Sequence, residues 1–205
     1  MQGAKCIFAR MTWIAPSFTF PPISWWMRAV RSGELVIDSQ APFKKMTCRN
    51  RYHISGPNNP ILLTVPILHG RDQRGALSDM YIFNAERWQV RHWRTLESVY
   101  GRTPFFAHYA PYLGTLFEQR YEKLVDFNRT SIQVVNQFLN KAIRISESGM
   151  EMAAETHTGP EEQTRQLDLP RYHQIFADRI GYQDDLSILD LLFSEGPATI
   201  SLLKM

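Results

Sequence analysis

The densest run of side chains able to do chemistry is Lys44-Lys45-Met46-Thr47-Cys48-Arg49-Asn50-Arg51, four cations in eight residues. Arginine offers a planar fork of donors and lysine a compact charge, so the run suits a phosphate or a carboxylate. Read as strand, it puts Arg49 and Arg51 on one face and Cys48, Asn50 and Tyr52 on the other. Two arginines on one face are either an anion clamp or an ordinary solvated face. His92 lies in Arg91-His92-Trp93-Arg94, one helical turn after Trp88. An imidazole titrates near working pH and can act as a general base, although a helical histidine among aromatics is more often a satisfied core residue. Asp38 closes the compact run Glu34-Leu35-Val36-Ile37-Asp38, the form of a buried strand that delivers a carboxylate to a sheet edge. Ligands of open α/β sheets collect at such edges, but a cap or turn carboxylate would look the same.

Other chemistries have no footing. His53, His69, His108, His157 and His173 form no HExxH or similar pairing, Cys6 and Cys48 are not spaced as zinc ligands, and no metal site is expected. GxSxG, GxxxxGK[ST] and GxGxxG are all absent, and no cofactor is indicated. Two cysteines make no disulfide scaffold, so a reducing cytoplasm is the expected compartment. Early charges and Pro16, Pro21 and Pro22 interrupt any signal-like core, and no run is long and apolar enough for a membrane span.

The elements that must position these residues divide the chain in two. Residues 1–105 carry 14 Lys/Arg against 6 Asp/Glu, or +8, and residues 106–205 carry 9 against 14, or −5. A small anionic partner would therefore meet the first half, unless the two halves simply pair with each other. A nucleic-acid role fits poorly with an acidic second half and no binding motif. Five Trp, eight Tyr and twelve Phe supply a large core for a single domain over 1–205.

Short strands fill the first half: Cys6–Ala9, Glu34–Asp38 after a helix at Ile23–Val30 stopped by Gly33, a hairpin of Cys48–Ile54 with Ile61–Val65, and Met80–Phe83. They predict a sheet of about five strands with a strand–helix–strand beginning. Helical periodicity then governs Ala85–Tyr100, a helix begun by Pro111, Asn128–Arg144 capped by Asp126 or Asn128, Tyr172–Phe176 and Leu186–Phe193. Residues 146–170 lose their aromatics and read as a linker or mobile loop. The fold expected is α/β: a mixed sheet in the N-terminal half with helices packed on it, and a mostly helical C-terminal half.

Five ordered segments resemble a known family: Lys45 to Ile54, Leu62 to Ile67, the helix Trp88 to Tyr100, Thr103-Pro104-Phe105-Phe106, and Leu186 to Phe193 followed by Glu195-Gly196-Pro197. Together they are similar to the WbqC-like protein family, in the compact form typical of Bacteroidota. The resemblance implies a place in surface-polysaccharide (O-antigen) biosynthesis and acyl or aminoacyl transfer, such as a glycyl group placed on a nucleotide-linked amino sugar. It points to Asp38, Lys45, Asn50, Arg51 and His92 as the matching polar positions. Many members begin with His-Gln-Pro and a Tyr-Leu-Pro-Trp stretch, whereas Met11-Thr12-Trp13-Ile14-Ala15-Pro16 here contributes no histidine. In the catalytic expectation Lys45 and Arg51 hold a pyrophosphate, with Arg49 and Asn50 beside them, while His92 deprotonates the attacking amine and Asp38 orients it. The alternative is a non-catalytic protein binding a sugar nucleotide or a partner of envelope biosynthesis, with Trp13, Trp25 and Trp26 as stacking surfaces. Convergence of Asp38, Lys45, Asn50 and His92 in one pocket would favour the enzyme. The sequence says nothing of oligomeric state.

Overall fold

The computed structural model describes residues 12–68, 75–147 and 167–205. The first two strands, β1 (Thr12–Pro16) and β2 (Glu34–Asp38), run parallel and are joined through helix α1 (Ile23–Ser32). α1 buries Ile23, Trp25, Trp26, Met27 and Ala29 on its core side. Gly33 ends it in the left-handed region, φ 72°, donating its N–H to Ala29 O at 3.1 Å. At the other end Pro22 has no side chain able to cap. Asp185 does so from the far end of the chain, accepting from Ser24 N–H at 2.8 Å and Ser24 Oγ–H at 2.7 Å.

Parallel strands are covered on both faces, and β2 accordingly buries Leu35, Val36, Ile37 and Asp38. Its second neighbour is β5 (Arg144–Glu147), also parallel, in register from Glu34 opposite Arg144 to Ile37 opposite Glu147. The middle of the chain is therefore inserted between two adjacent strands. It holds the antiparallel hairpin β3 (Arg51–Ile54) and β4 (Ile61–Thr64), then α2 (Trp88–Tyr100), α3 (Phe106–Glu118) and α4 (Leu124–Phe138). Past the undescribed stretch come α5 (Ala177–Ile180), α6 (Ile188–Glu195) and α7 (Thr199–Leu203).

The α/β class, with strands concentrated in the first half and helices after them, is as expected; the details differ. Among the described residues five strands form a three-stranded sheet of order β1-β2-β5 and a separate two-stranded hairpin. The expected strand Cys6–Ala9 lies outside the described residues, and β1 is the segment Thr12–Pro16. Met80–Phe83 is not a strand but makes only isolated bridges, Ile67 to Ile82 and Tyr81 to Lys123. α3 starts at Phe106 with Pro111 inside it. The carbonyl that Pro111 leaves without its helical donor is that of Ala107, an exposed residue that water can serve.

The largest correction is at residues 139–144, expected as the last part of a helix running to Arg144. α4 stops at Phe138 because Asn140 and Lys141 are left-handed, φ 56° and 55°, and the chain turns into β5. Asn136 fixes that turn, donating Nδ2 to Ile143 O at 2.9 Å and accepting Ile143 N–H at 3.1 Å. Residues 172–176 are likewise not helical but irregular, with a turn at 175–176, and Gln174 holds the backbone of Gln183 from both sides. Of the expected 146–170 loop, Ser146 and Glu147 belong to β5, Leu167 and Leu169 pack on the core, and 148–166 lie outside the described residues. The tryptophans are core: Trp25 and Trp26 are buried, and Trp13 packs on Trp25 at 5.2 Å, so none is an exposed stacking surface near the prolines.

Candidate anion-binding cavity

Residues 45–50 are turns rather than strand, and regular β3 begins only at Arg51. Met46 is left-handed at φ 60°, and Thr47 Oγ–H closes the turn on Lys44 O at 2.8 Å. Strand alternation therefore fails before Arg51, and the expected pairing of Arg49 with Arg51 on one face is replaced. Neighbouring Asn50 and Arg51 line one cavity of about 210 Å³ together with Lys45. Phe43, Thr64 and Pro66 supply part of its apolar wall.

Asn50 is the best-fixed member of the set. Its backbone carbonyl accepts Val65 N–H at 2.8 Å, and its Nδ2 donates to Val65 O at 3.0 Å. That bond orients the amide, leaving Oδ1 buried without a hydrogen-bond partner among the described residues. Arg51 Nε is in the same condition, and no carboxylate within ion-pair distance of Arg51 is found among the described residues. Buried polar groups are normally satisfied, so two orphaned atoms on neighbouring residues that line one cavity are bonds the fold leaves open beside it. The Arg51 cation also reaches His53, whose pKa is lowered by partial burial and then by that charge.

Arg49 lies elsewhere. It is buried, donates Nη1 to Thr47 Oγ1 at 3.2 Å, and stacks its guanidinium over Phe18 with 5.8 Å to the ring centre. Its carbonyl anchors a network that the sequence did not disclose. Asn128 Nδ2 donates to Arg49 O at 2.8 Å, and Thr19 Oγ–H donates to Asn128 Oδ1 at 2.5 Å. Asn128 and Ser131 share the buried stripe of α4 with Leu124 and Val135, and polar residues on an apolar stripe were the available signal. Asn128 is thus a tertiary tie between α4, the segment after β1 and the basic turn, not the helix cap expected of it.

Asp38 is wholly buried at the end of β2, opposite Pro16, and its Oδ1 accepts Gln40 N–H at 2.8 Å. It does not line the cavity.

His92 borders a second cavity of about 450 Å³, which shares Thr64 and Pro66 with the first. His92 is 4% exposed, its ring between Tyr52 and Trp88, and both nitrogens are engaged: Nε2 with Thr64 O at 3.2 Å and Nδ1 with Tyr52 Oη at 3.1 Å. A carbonyl can only accept, so Nε2 carries the proton and Nδ1 accepts from the tyrosine. Burial lowers the His92 pKa to about 4, outweighing the Thr64 hydrogen bond, with a small further push from Arg91. The imidazole is neutral at working pH, and its lone pair is taken.

Lys45, Asn50 and Arg51 are brought together; His92 stands across a shared wall, and Asp38 and Arg49 line neither cavity. Among the described residues no group of three His, Cys, Asp or Glu side chains is placed to hold a metal, and no helix is long and apolar enough to cross a membrane. What fold and site define is an α/β chain with a small basic cavity at the root of a β-hairpin. The chain belongs to the WbqC-like protein family, whose family model matches residues 16–169. No curated protein and no solved structure matches it.

Proposed function

We propose that this chain binds a nucleotide-linked amino sugar, an intermediate of surface-polysaccharide assembly, through its diphosphate in the Lys45–Arg51 cavity. The observation that carries this reading is the meeting of two cations with Asn50, whose buried Oδ1 acceptor has no partner among the described residues, in the lining of one cavity. The cations match a diphosphate, and the acceptor matches an amine or hydroxyl donor on the sugar. A whole sugar nucleotide is too large for this cavity alone, and the adjoining one across Thr64 and Pro66 takes the remainder. Isothermal titration of a uridine-diphosphate amino sugar tests it. Arg51→Ala should weaken binding about tenfold to a hundredfold, the worth of one charge-assisted contact. Equal affinity of the two proteins, or no binding by the wild type, refutes the reading.

The second reading, acyl or aminoacyl transfer onto the sugar amine, is favoured by one specific feature. Two cavities that share a wall can seat a donor and an acceptor side by side. In that rection scheme the amine attacks the donor carbonyl, an amide forms, and the donor's leaving group departs with the proton. His92, with its lone pair bonded to Tyr52, holds the Thr64 wall between the two cavities and is a positioning residue in this reading. Mass spectrometry of the amino sugar after incubation with a glycyl thioester reads the reaction out. A transfer rate with an inflection near pH 6.5 that disappears in His92→Gln would restore His92 as the base.

A further inference from the structure

A third cavity, of about 320 Å³, lies on the far helices and shares no residue with the other two. It is formed by His108, Tyr109 and Tyr112 of α3 and by Gln137, Phe138 and Asn140 at the end of α4. No lysine, arginine, aspartate or glutamate lines it. Its polar groups are two carboxamides, an imidazole and phenols, which both donate and accept. No hydrogen bond of the Tyr112 hydroxyl, the His108 ring or the Gln137 and Asn140 carboxamides occurs among the described residues.

The apolar part is a built aromatic wall. Tyr109 packs on Phe138 at 4.6 Å between ring centres, and Tyr112 meets the same ring edge-on at 5.9 Å. Phe138 thus props Tyr112, which remains 59% exposed, the most exposed aromatic among the described residues. Asn140 reaches the rim because it and Lys141 are both left-handed, an arrangement an L-residue adopts at a cost. A propped aromatic face, uncharged two-way hydrogen-bonding groups and a volume in the small-molecule range together select a ligand with one apolar face and a belt of hydroxyls.

We infer that this cavity binds a neutral pyranose, its C–H face on Tyr112 and its hydroxyls on Gln137, Asn140 and His108. The absence of charge in the wall separates it from the Lys45–Arg51 cavity, which selects anions.

Saturation-transfer NMR on the whole chain, with the methyl pyranosides of glucose, galactose, mannose, rhamnose and N-acetylglucosamine, tests the inference. At least one should receive saturation on its ring C–H protons. Tyr112→Ala, at an exposed position, and Asn140→Gly, which keeps the left-handed backbone and deletes the carboxamide, should each weaken that binding about tenfold with an unchanged melting temperature. Arg51→Ala should leave it intact whether or not the anion cavity works as proposed. No response to any of the five sugars, full binding by both cavity variants, or loss of binding in Arg51→Ala overturns it.

Discussion

A histidine buried neutral makes a fold sensitive to acid, and His92 allows the size of that sensitivity to be worked out. The unfolded ring binds its proton near the ordinary 6.5, and the folded ring only near 4. Between those values the unfolded chain holds more protons than the fold, so stability falls as pH falls and is fully retained only above about 6.5. At 1.36 kcal/mol per pH unit the loss by pH 4 is about 3 kcal/mol. That is a sizeable share of the roughly 5–15 kcal/mol that holds a domain together, and it corresponds to about 6–12 °C in melting temperature for a chain of this length. Asp185 and Asp190 have raised pKa values, chiefly through burial, and push the other way, stabilising the fold as they take up protons. The informative quantity is therefore a difference between two proteins. His92→Gln keeps a donor for Thr64 O and removes the titration. Urea unfolding of both proteins between pH 7.5 and 4.5, followed by tryptophan fluorescence, should show the wild type losing about 2–3 kcal/mol more than the variant across that range. Parallel losses in the two proteins would show that the fold tolerates a charged His92, and the assignment of a closed Tyr52–His92–Thr64 chain would fall.

Other perturbations test the tertiary ties. Gly196 is left-handed, φ 53°, and a Cβ there would run into the Phe105 ring, so Gly196→Ala should cost about 2–4 kcal/mol in chemical denaturation. Asn136→Ala removes both bonds that turn α4 into β5, and should lower stability by about 1–3 kcal/mol while amide exchange at Ile143–Glu147 accelerates more than at β1. Asp190 accepts hydroxyls from Tyr100 at 2.5 Å and Tyr172 at 2.7 Å, so Asp190→Leu should lower the melting temperature by several degrees through two orphaned phenols.

Where pattern and fold coincide, local chemistry dictates the outcome. Ile23–Ser32 and Trp88–Tyr100 carry strong helical periodicity and end at Gly33 and Gly101, and β2 is a β-branched run too short to be anything but a buried strand. The stretch from Leu139 to Arg144 reads as helix because the preceding stripe of α4 continues smoothly in composition, and the 146–170 loop reading takes in the end of β5. Only the left-handed pair Asn140–Lys141 and the alternation from Ile143 to Glu147 separate the two, and parallel pairing with β2 is a contact far along the chain that periodicity does not encode. The basic run from Lys44 to Arg51 was legible as a candidate site from its charges alone. Which of its cations converge was not, because the turn at Met46 breaks the alternation that face assignments assume. Arg49 and Asp38 illustrate the same gap: type and position looked functional, yet Arg49 is drawn over Phe18, far away in sequence, and Asp38 is buried where the end of β2 pairs with Pro16 of β1.

The central claim is that Lys45, Asn50 and Arg51 hold the diphosphate end of an amino-sugar nucleotide. A crystal structure of the chain soaked with a uridine-diphosphate amino sugar tests it most directly. The account predicts diphosphate density between the Lys45 ammonium and the Arg51 guanidinium, with a ligand donor about 2.7–3.2 Å from Asn50 Oδ1. Density elsewhere on the chain, or a cavity still empty at saturating ligand, would contradict it.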